Sequence, residues 1–117
     1  DAVINGSRTT YSCLIHIGSG WECSVEHSVD IEKSGTYRIF LKSSAKGALD
    51  ATVRVKKEGL VLFEDSVVIN TGNIHNYKDI ICADVEFEKS GKYQIEFYFK
   101  DGKNTVGIQG MTITKHI

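Results

Sequence analysis

The chain contains no proline, a single tryptophan, a single methionine and three cysteines in 117 residues. Without proline there is no proline-rich linker, and chain reversals fall to glycine. Three cysteines cannot close a disulfide framework, and Cys13, Cys23 and Cys82 lack the Cys-x-x-Cys spacing of a zinc site. Packing as small hydrophobes and a Cys13 to Cys23 bridge both remain open for them. No apolar run approaches the ~20 residues that cross a bilayer, so the reading has no membrane partner. Formal net charge is −1, with Lys and Arg scattered among acidic residues. The long-range field that holds a phosphate backbone is missing, and nucleic acid drops out as a partner.

Catalytic constellations are missing too. No nucleophile stands beside a base, no carboxylates pair up, and His16, His27, His75 and His116 never reach the His-x-x-x-His spacing of a helical zinc site. The reading is therefore not an enzyme, with no metal site. No segment sustains an apolar period of 3.6 residues, which removes helices from the expected fold. The chain opens on Asp1 with neither an initiator Met nor a signal-like segment, the expectation for a mature fragment or an excised domain.

What is present is a phrase written twice: VDIEKSGTYRI at residues 29 to 39 and VEFEKSGKYQI at residues 85 to 95, an offset of 56. In a strand only every second residue reaches the core. Val29 and Ile31, like Val85 and Phe87, alternate with acidic residues. Past the shared Glu-Lys-Ser-Gly, the series Tyr37, Ile39, Leu41 and Tyr93, Ile95, Phe97, Phe99 alternate with polar or longer side chains. Each copy is strand, turn, strand, with Gly35 and Gly91 where the chain reverses.

The rest of the chain reads the same way. Residues 9 to 17 form a first strand before Gly18-Ser19-Gly20, and Glu22 to Ile31 alternate cleanly, with His27 on the core side. Leu49, Ala51, Val53 and Val55 share one face of a strand that ends in a Lys-Glu-Gly turn. Leu60 to Phe63 and a separate short strand, Ser66 to Ile69, lead to the loop NTGNIHN. Tyr77 to Phe87, Lys92 to Lys100 and Val106 to Thr114 complete the set, with Gly107 and Gly110 marking a bulge or a close backbone approach. Eight to ten strands with frequent turns give an all-β fold, a β-sandwich (jelly roll) of two antiparallel sheets. With 41% hydrophobic residues, residues 1–117 suffice for one domain with one core.

The residues SVEHSVDIEKSGTYRIFLKSSA, TGNIHNYKDIICADVEFEKSGKYQIEFYF and NTVGIQGMTIT, in that order, resemble the family 6 and family 35 carbohydrate-binding modules over roughly residues 18 to 115. Those jelly rolls are accessory domains of secreted glycoside hydrolases, and the repeated phrase would be their two structural corners. The resemblance implies a non-catalytic carbohydrate-binding module, extracellular or periplasmic, with an oligo- or polysaccharide and a neighbouring catalytic domain as partners. Sugar would bind at the loop end of the sandwich, between an aromatic before the Val-Glu-Tyr-like strand and the Trp of a Thr-Gly-Gly-Trp loop.

Carried over residue by residue, Trp21 stands for the first aromatic. An indole at a loop end offers a flat apolar face and one N–H donor to a pyranose. Thr71-Gly72-Asn73-Ile74 keeps the loop but puts Ile74 where the second ring belongs, with His75 beside it. Tyr77 matches a later aromatic that is mostly a core residue in the family. The last-strand Asn gives way to Gly107, with Gln109 or Asn104 as substitutes. One ring and a branched aliphatic side chain make a weak clamp, so weak glycan binding is expected. The N-terminal carboxylate pair that would hold a structural calcium is absent, so no cofactor is expected. Two alternatives stay open: a structural sandwich that packs on a catalytic domain without binding sugar, and a protein-recognition module.

Overall fold

The computed structural model describes the backbone of residues 8–16, 21–101 and 105–115, and the side chains of residues 24–99 and 106–115. Eight strands follow one another: β1 (Arg8–His16), β2 (Trp21–Ile31), β3 (Gly35–Ala45), β4 (Leu49–Lys57), β5 (Leu60–Ile69), β6 (Lys78–Phe87), β7 (Gly91–Asp101) and β8 (Thr105–Lys115). They form two four-stranded antiparallel sheets, ordered β1-β8-β3-β6 and β2-β7-β4-β5. The sandwich read from the alternation is the one observed. Shifting strand number by four maps β2-β7-β4-β5 onto β6-β3-β8-β1, so the second sheet is the first one repeated.

The repeated phrase is the hinge of that duplication. Neither copy is a hairpin. β2 and β3 lie in different sheets, as do β6 and β7, so each Glu-Lys-Ser-Gly corner carries the chain from one layer to the other. Both corner glycines hold positive φ, 149° at Gly35 and 140° at Gly91, which a side chain would resist. In both corners a tyrosine hydroxyl closes the turn: Tyr37 donates to the Lys33 carbonyl at 2.8 Å and Tyr93 to the Lys89 carbonyl at 2.7 Å. The two rings meet through Phe87, edge to face, with centroids 5.6 and 4.8 Å away. Replacing either tyrosine by Phe removes one such bond from an equivalent setting. Each change should cost about 1 kcal/mol in urea unfolding, and the two costs should match.

Core residues follow the period-two reading. Leu49, Ala51, Val53 and Val55 on β4, and Tyr93, Ile95, Phe97 and Phe99 on β7, are buried, as are Tyr37, Ile39 and Leu41 on β3. His27 points inward among them. Lys57-Glu58-Gly59-Leu60 makes the β4–β5 hairpin, with φ of 51° at Glu58 and 80° at Gly59, the two left-handed residues of a type I′ turn.

One strand differs from the sequence reading. Leu60 to Phe63 and Ser66 to Ile69 are one continuous β5, paired with β4 throughout. The register shifts between Val55 and Lys56, whose partners are Phe63 and Val61, so Leu62 is an extra residue. That bulge lies inside the first stretch; what separates the two in the sequence is Glu64-Asp65, which pair with Arg54 and Val53 on this exposed edge strand. On β8 the glycine signal is borne out: Lys42 faces Gly110 and Ser43 faces Ile108, leaving Gln109 as the bulged residue. The bulge resets the phase, so that Val106 and Ile108 before it and Met111 and Ile113 after it all reach the core.

Candidate functional site

The topology gathers one set of connections at one end of the sandwich. β3 ends there and β4 starts there, β5 ends and β6 starts, β7 ends and β8 starts, and β2 begins at Trp21, paired with Asp101. The Glu-Lys-Ser-Gly corners lie at the opposite end. Trp21, Asn73, Ile74 and His75 thus belong to one end of the molecule. The Trp21 side chain, Asn104, and the side chains of Cys13 and Cys23 lie outside the described residues. β1 and β2, which carry the two cysteines, belong to different sheets. Cys82 is a buried free thiol whose burial pushes its pKa up to about 12, so it packs and does not react.

Residues 70–77 are fastened from within. Thr71, itself buried, is the hub: its amide donates to the Ala45 carbonyl at 3.0 Å and its hydroxyl accepts from the Ala45 amide at 3.2 Å. Asn70 Oδ1 accepts from the Gly72 amide, where φ is 80°, and Asn73 Oδ1 accepts from the His75 amide at 2.8 Å. Asn76 Nδ2 donates back to the Thr71 carbonyl at 3.0 Å. The fully buried Ser44 hydroxyl donates to the Ile74 carbonyl. These bonds fix the backbone and leave the Asn73 and His75 side chains exposed, with Ile74 half-buried between them. Short polar residues suit this role because their side chains replace missing ladder bonds.

Gly107 has a specific task here. It alternates with the core residues Val106 and Ile108, so it presents its bare Cα on the side of the sheet away from the core. A Cβ at Gly107 would lie 2.4 Å from the Tyr77 hydroxyl oxygen and 2.6 Å from Ser44 Oγ. The position expected to carry an Asn is therefore filled by Tyr77. Tyr77 itself is half-buried over this outer surface rather than a member of the inner core. Sequence reading missed Tyr77 and Ser44 as builders of the site. The one available signal was Gly107 standing three residues before a second glycine in a strand. Gln109, half-buried at the β8 bulge, sits two residues further into the sheet than Gly107.

The broad face near Tyr98 is occupied by its own neighbours. Arg54 lies 4.9 Å from the Tyr98 ring centroid and bridges Glu64 and Glu96, while Lys56 reaches Glu26 at 3.2 Å and Glu96 at 3.1 Å. Burial works to raise the Glu96 carboxyl, but its bonds from Lys56 and Arg54 outweigh that and hold it below the usual carboxylate range. A ring covered by a guanidinium offers no stacking platform. Among the described residues no group of three or more His, Cys, Asp or Glu side chains is placed to hold a metal ion.

No family model matches the chain, and no curated protein matches it. Solved structures do. A family 35 carbohydrate-binding module from an environmental isolate superposes with a TM-score of 0.65 at 15% identity, over 88% of this chain and 73% of that one. The C-terminal family 6 module of a marine laminarinase from Zobellia galactanivorans gives 0.64 at 23% identity, over 92% of this chain and 88% of that one. The fold is that of the family 6 and family 35 carbohydrate-binding modules. A ruminal family 26 endo-β-1,4-mannanase contains the same sandwich, with a TM-score of 0.60 at 14% identity over 81% of this chain. The chain spans 18% of that enzyme's length.

Proposed function

We propose that residues 1–117 are one non-catalytic carbohydrate-binding module that takes an oligo- or polysaccharide weakly at the loop end, beside Trp21. The observation that carries the reading is the fastened 70–77 loop. Three buried or half-buried anchors, Thr71, Ser44 and Tyr77, hold Asn73, Ile74 and His75 rigidly at the end where β2 begins with the only tryptophan. A fastened loop with exposed amide and imidazole groups, at the same end of the sandwich as the tryptophan, suits a ring of hydroxyls with an apolar face. The carbohydrate-binding modules that share the fold support a saccharide ligand. The mannanase, of which this fold is a small part, supports an accessory role next to a catalytic domain, and an extracellular or periplasmic setting is proposed with that role. In this reading Asn104 and Gln109 would add hydrogen bonds to the sugar.

The strength follows from the single ring. One stacking residue and a few hydrogen bonds that water can replace should give Kd values of about mM to tens of μM. Trp21→Ala should weaken binding by about tenfold or more, the loss of one stacked ring. Ile74→Trp should tighten it by supplying a second ring without altering a core strand. A glycan array finds the ligand, and titration calorimetry on the three forms measures both effects. Native binding in the nanomolar range, or unchanged binding by Trp21→Ala, would move the sugar away from this end.

A further inference from the structure

The end of the sandwich opposite the candidate sugar site carries a concavity. A cleft of about 640 Å³ opens between β5 and β6, the edge strands of the two sheets, near the second corner. Its floor is apolar, built from Val55, Phe63, Val85, Phe87 and Tyr93. On its β5 side Leu62 lines the cleft and is 53% exposed, and Leu60 and Val61, its neighbours in the chain, are 66 and 46% exposed. β5 pairs only with β4 and β6 only with β3 among the described residues, so each turns one row of backbone donors and acceptors outward. Exposed apolar edges of this kind are ordinarily blunted by charge or proline, because they invite another strand.

The β6 side states what that strand would be. Asp84, Glu86 and Glu88 are exposed and alternate with Val85 and Phe87, which point into the cleft floor. Asp84 is bound by Arg38 at 2.8 and 3.0 Å, while Glu86, Glu88 and the nearby Glu58 make no ion pair among the described residues. Two lysines also line the cleft: Lys57, 4.5 Å from the Tyr93 ring centroid and bonded to the Lys92 carbonyl, and the exposed Lys89. Glu58, Asp84, Glu86 and Glu88 outnumber them, so the lining carries more acid than base, and along β6 and its end the acidic residues recur with a period of two. Opposite charges at facing positions of neighbouring strands attract, and the same register would drop the intervening side chains onto Phe63, Val85 and Phe87.

We infer that the free edge of β6 is a docking site for an extended segment of a partner protein in which basic and apolar residues alternate. The segment adds a fifth strand to the β1-β8-β3-β6 sheet: its main chain completes the β6 ladder, its apolar side chains fill the cleft, and its Lys or Arg side chains face Glu86 and Glu88. The inference stands apart from the sugar reading, since the two sites use opposite ends of the molecule.

The test uses a capped heptapeptide alternating Lys and Val, a second peptide of the same composition with its lysines and valines in separate blocks, and amide chemical shifts of the folded domain. The alternating peptide should shift the amides of residues 83–88 and bind with Kd of about 0.1 mM or tighter. The blocked peptide should bind about tenfold more weakly. The exposed double change Glu86→Lys and Glu88→Lys should cost about tenfold for the alternating peptide, and Leu62→Lys should weaken it as well. Equal binding of both peptides, retention of binding in the double variant, or shifts confined to residues 70–77 would overturn the inference. So would a concentration-dependent dimer dissolved by Leu62→Lys, which would make a second copy the occupant.

Discussion

Lowering the pH from 7 to 4 should remove about 3 kcal/mol of folding stability through one side chain, His27. The ring is 6% exposed, faces Ile95 across the strand pair and meets Phe97 edge-on with centroids 6.3 Å apart. Burial in this apolar setting penalises the imidazolium and lowers the pKa from 6.5 to about 4. Above pH 6.5 the ring is neutral in both folded and unfolded chains, and the stability is whole. Between 6.5 and 4 the unfolded chain takes up a proton that the folded chain refuses, so stability falls as the pH falls. Below 4 both states are protonated and the slope ends. At about 1.36 kcal/mol per pH unit over that window, the loss is about 3 kcal/mol. Urea unfolding of the native chain and of His27→Leu at several pH values isolates the term. The variant should lack this part of the slope whatever its absolute stability. Parallel curves for the two proteins between pH 6.5 and 4 would show that His27 is not buried as a neutral ring.

Gly107→Ala should cost about 2 kcal/mol, although it adds one methyl group to a position in a regular strand. The added carbon would meet the Tyr77 hydroxyl and Ser44 Oγ well inside contact distance. Ser44 cannot yield freely, being fully buried with its hydroxyl committed to the Ile74 carbonyl, and the Tyr77 ring can give way only by moving as a unit off the sheet. The strain should therefore pass into the 70–77 loop. Thermal unfolding reads the stability loss, and amide exchange at Ile74 and His75 should rise at the same time. The double variant Gly107→Ala with Tyr77→Leu should recover part of the stability, because it removes the obstructing hydroxyl. A neutral Gly107→Ala would mean that Tyr77 does not seat against β8.

The corners show what was legible in the sequence and what was not. Val29 to Ile39 and Val85 to Ile95 displayed their period and their glycines openly, and the two tyrosine hydroxyl bonds sit where the repeat placed them. The companion lysines were hidden. Lys115 lies beside Gly35 and Lys57 beside Gly91, in equivalent places, yet 58 residues separate them instead of 56, and the Gln109 bulge in β8 supplies one of the two extra residues. A bulge changes the register without changing the chemistry of the residues, so fixed-offset comparison passes over it. The Leu62 bulge shifts the register of β5 in the same hidden way. In the candidate site, the Thr71 to Asn76 turn chemistry was written in Asn, Thr and Gly, whereas the Tyr77 seat depends on which strands become neighbours. The β5–β6 cleft was invisible for the same reason: edge strands are fixed by sheet order, and sequence alternation does not state that order.

Because Trp21 is the only tryptophan, its fluorescence reports on the proposed sugar site without labelling. The decisive measurement is iodide quenching of that emission, with and without each saccharide of a panel spanning β-linked glucans, mannans, galactans and xylans. The indole should be solvent-accessible in the free protein, and at least one saccharide should give a saturable shift in emission with reduced quenching. Ile74→Trp must be kept out of this experiment, since it adds a second emitter. Negligible quenching of the free protein, with emission unchanged by every saccharide, would contradict the loop-end site and leave the domain a structural sandwich.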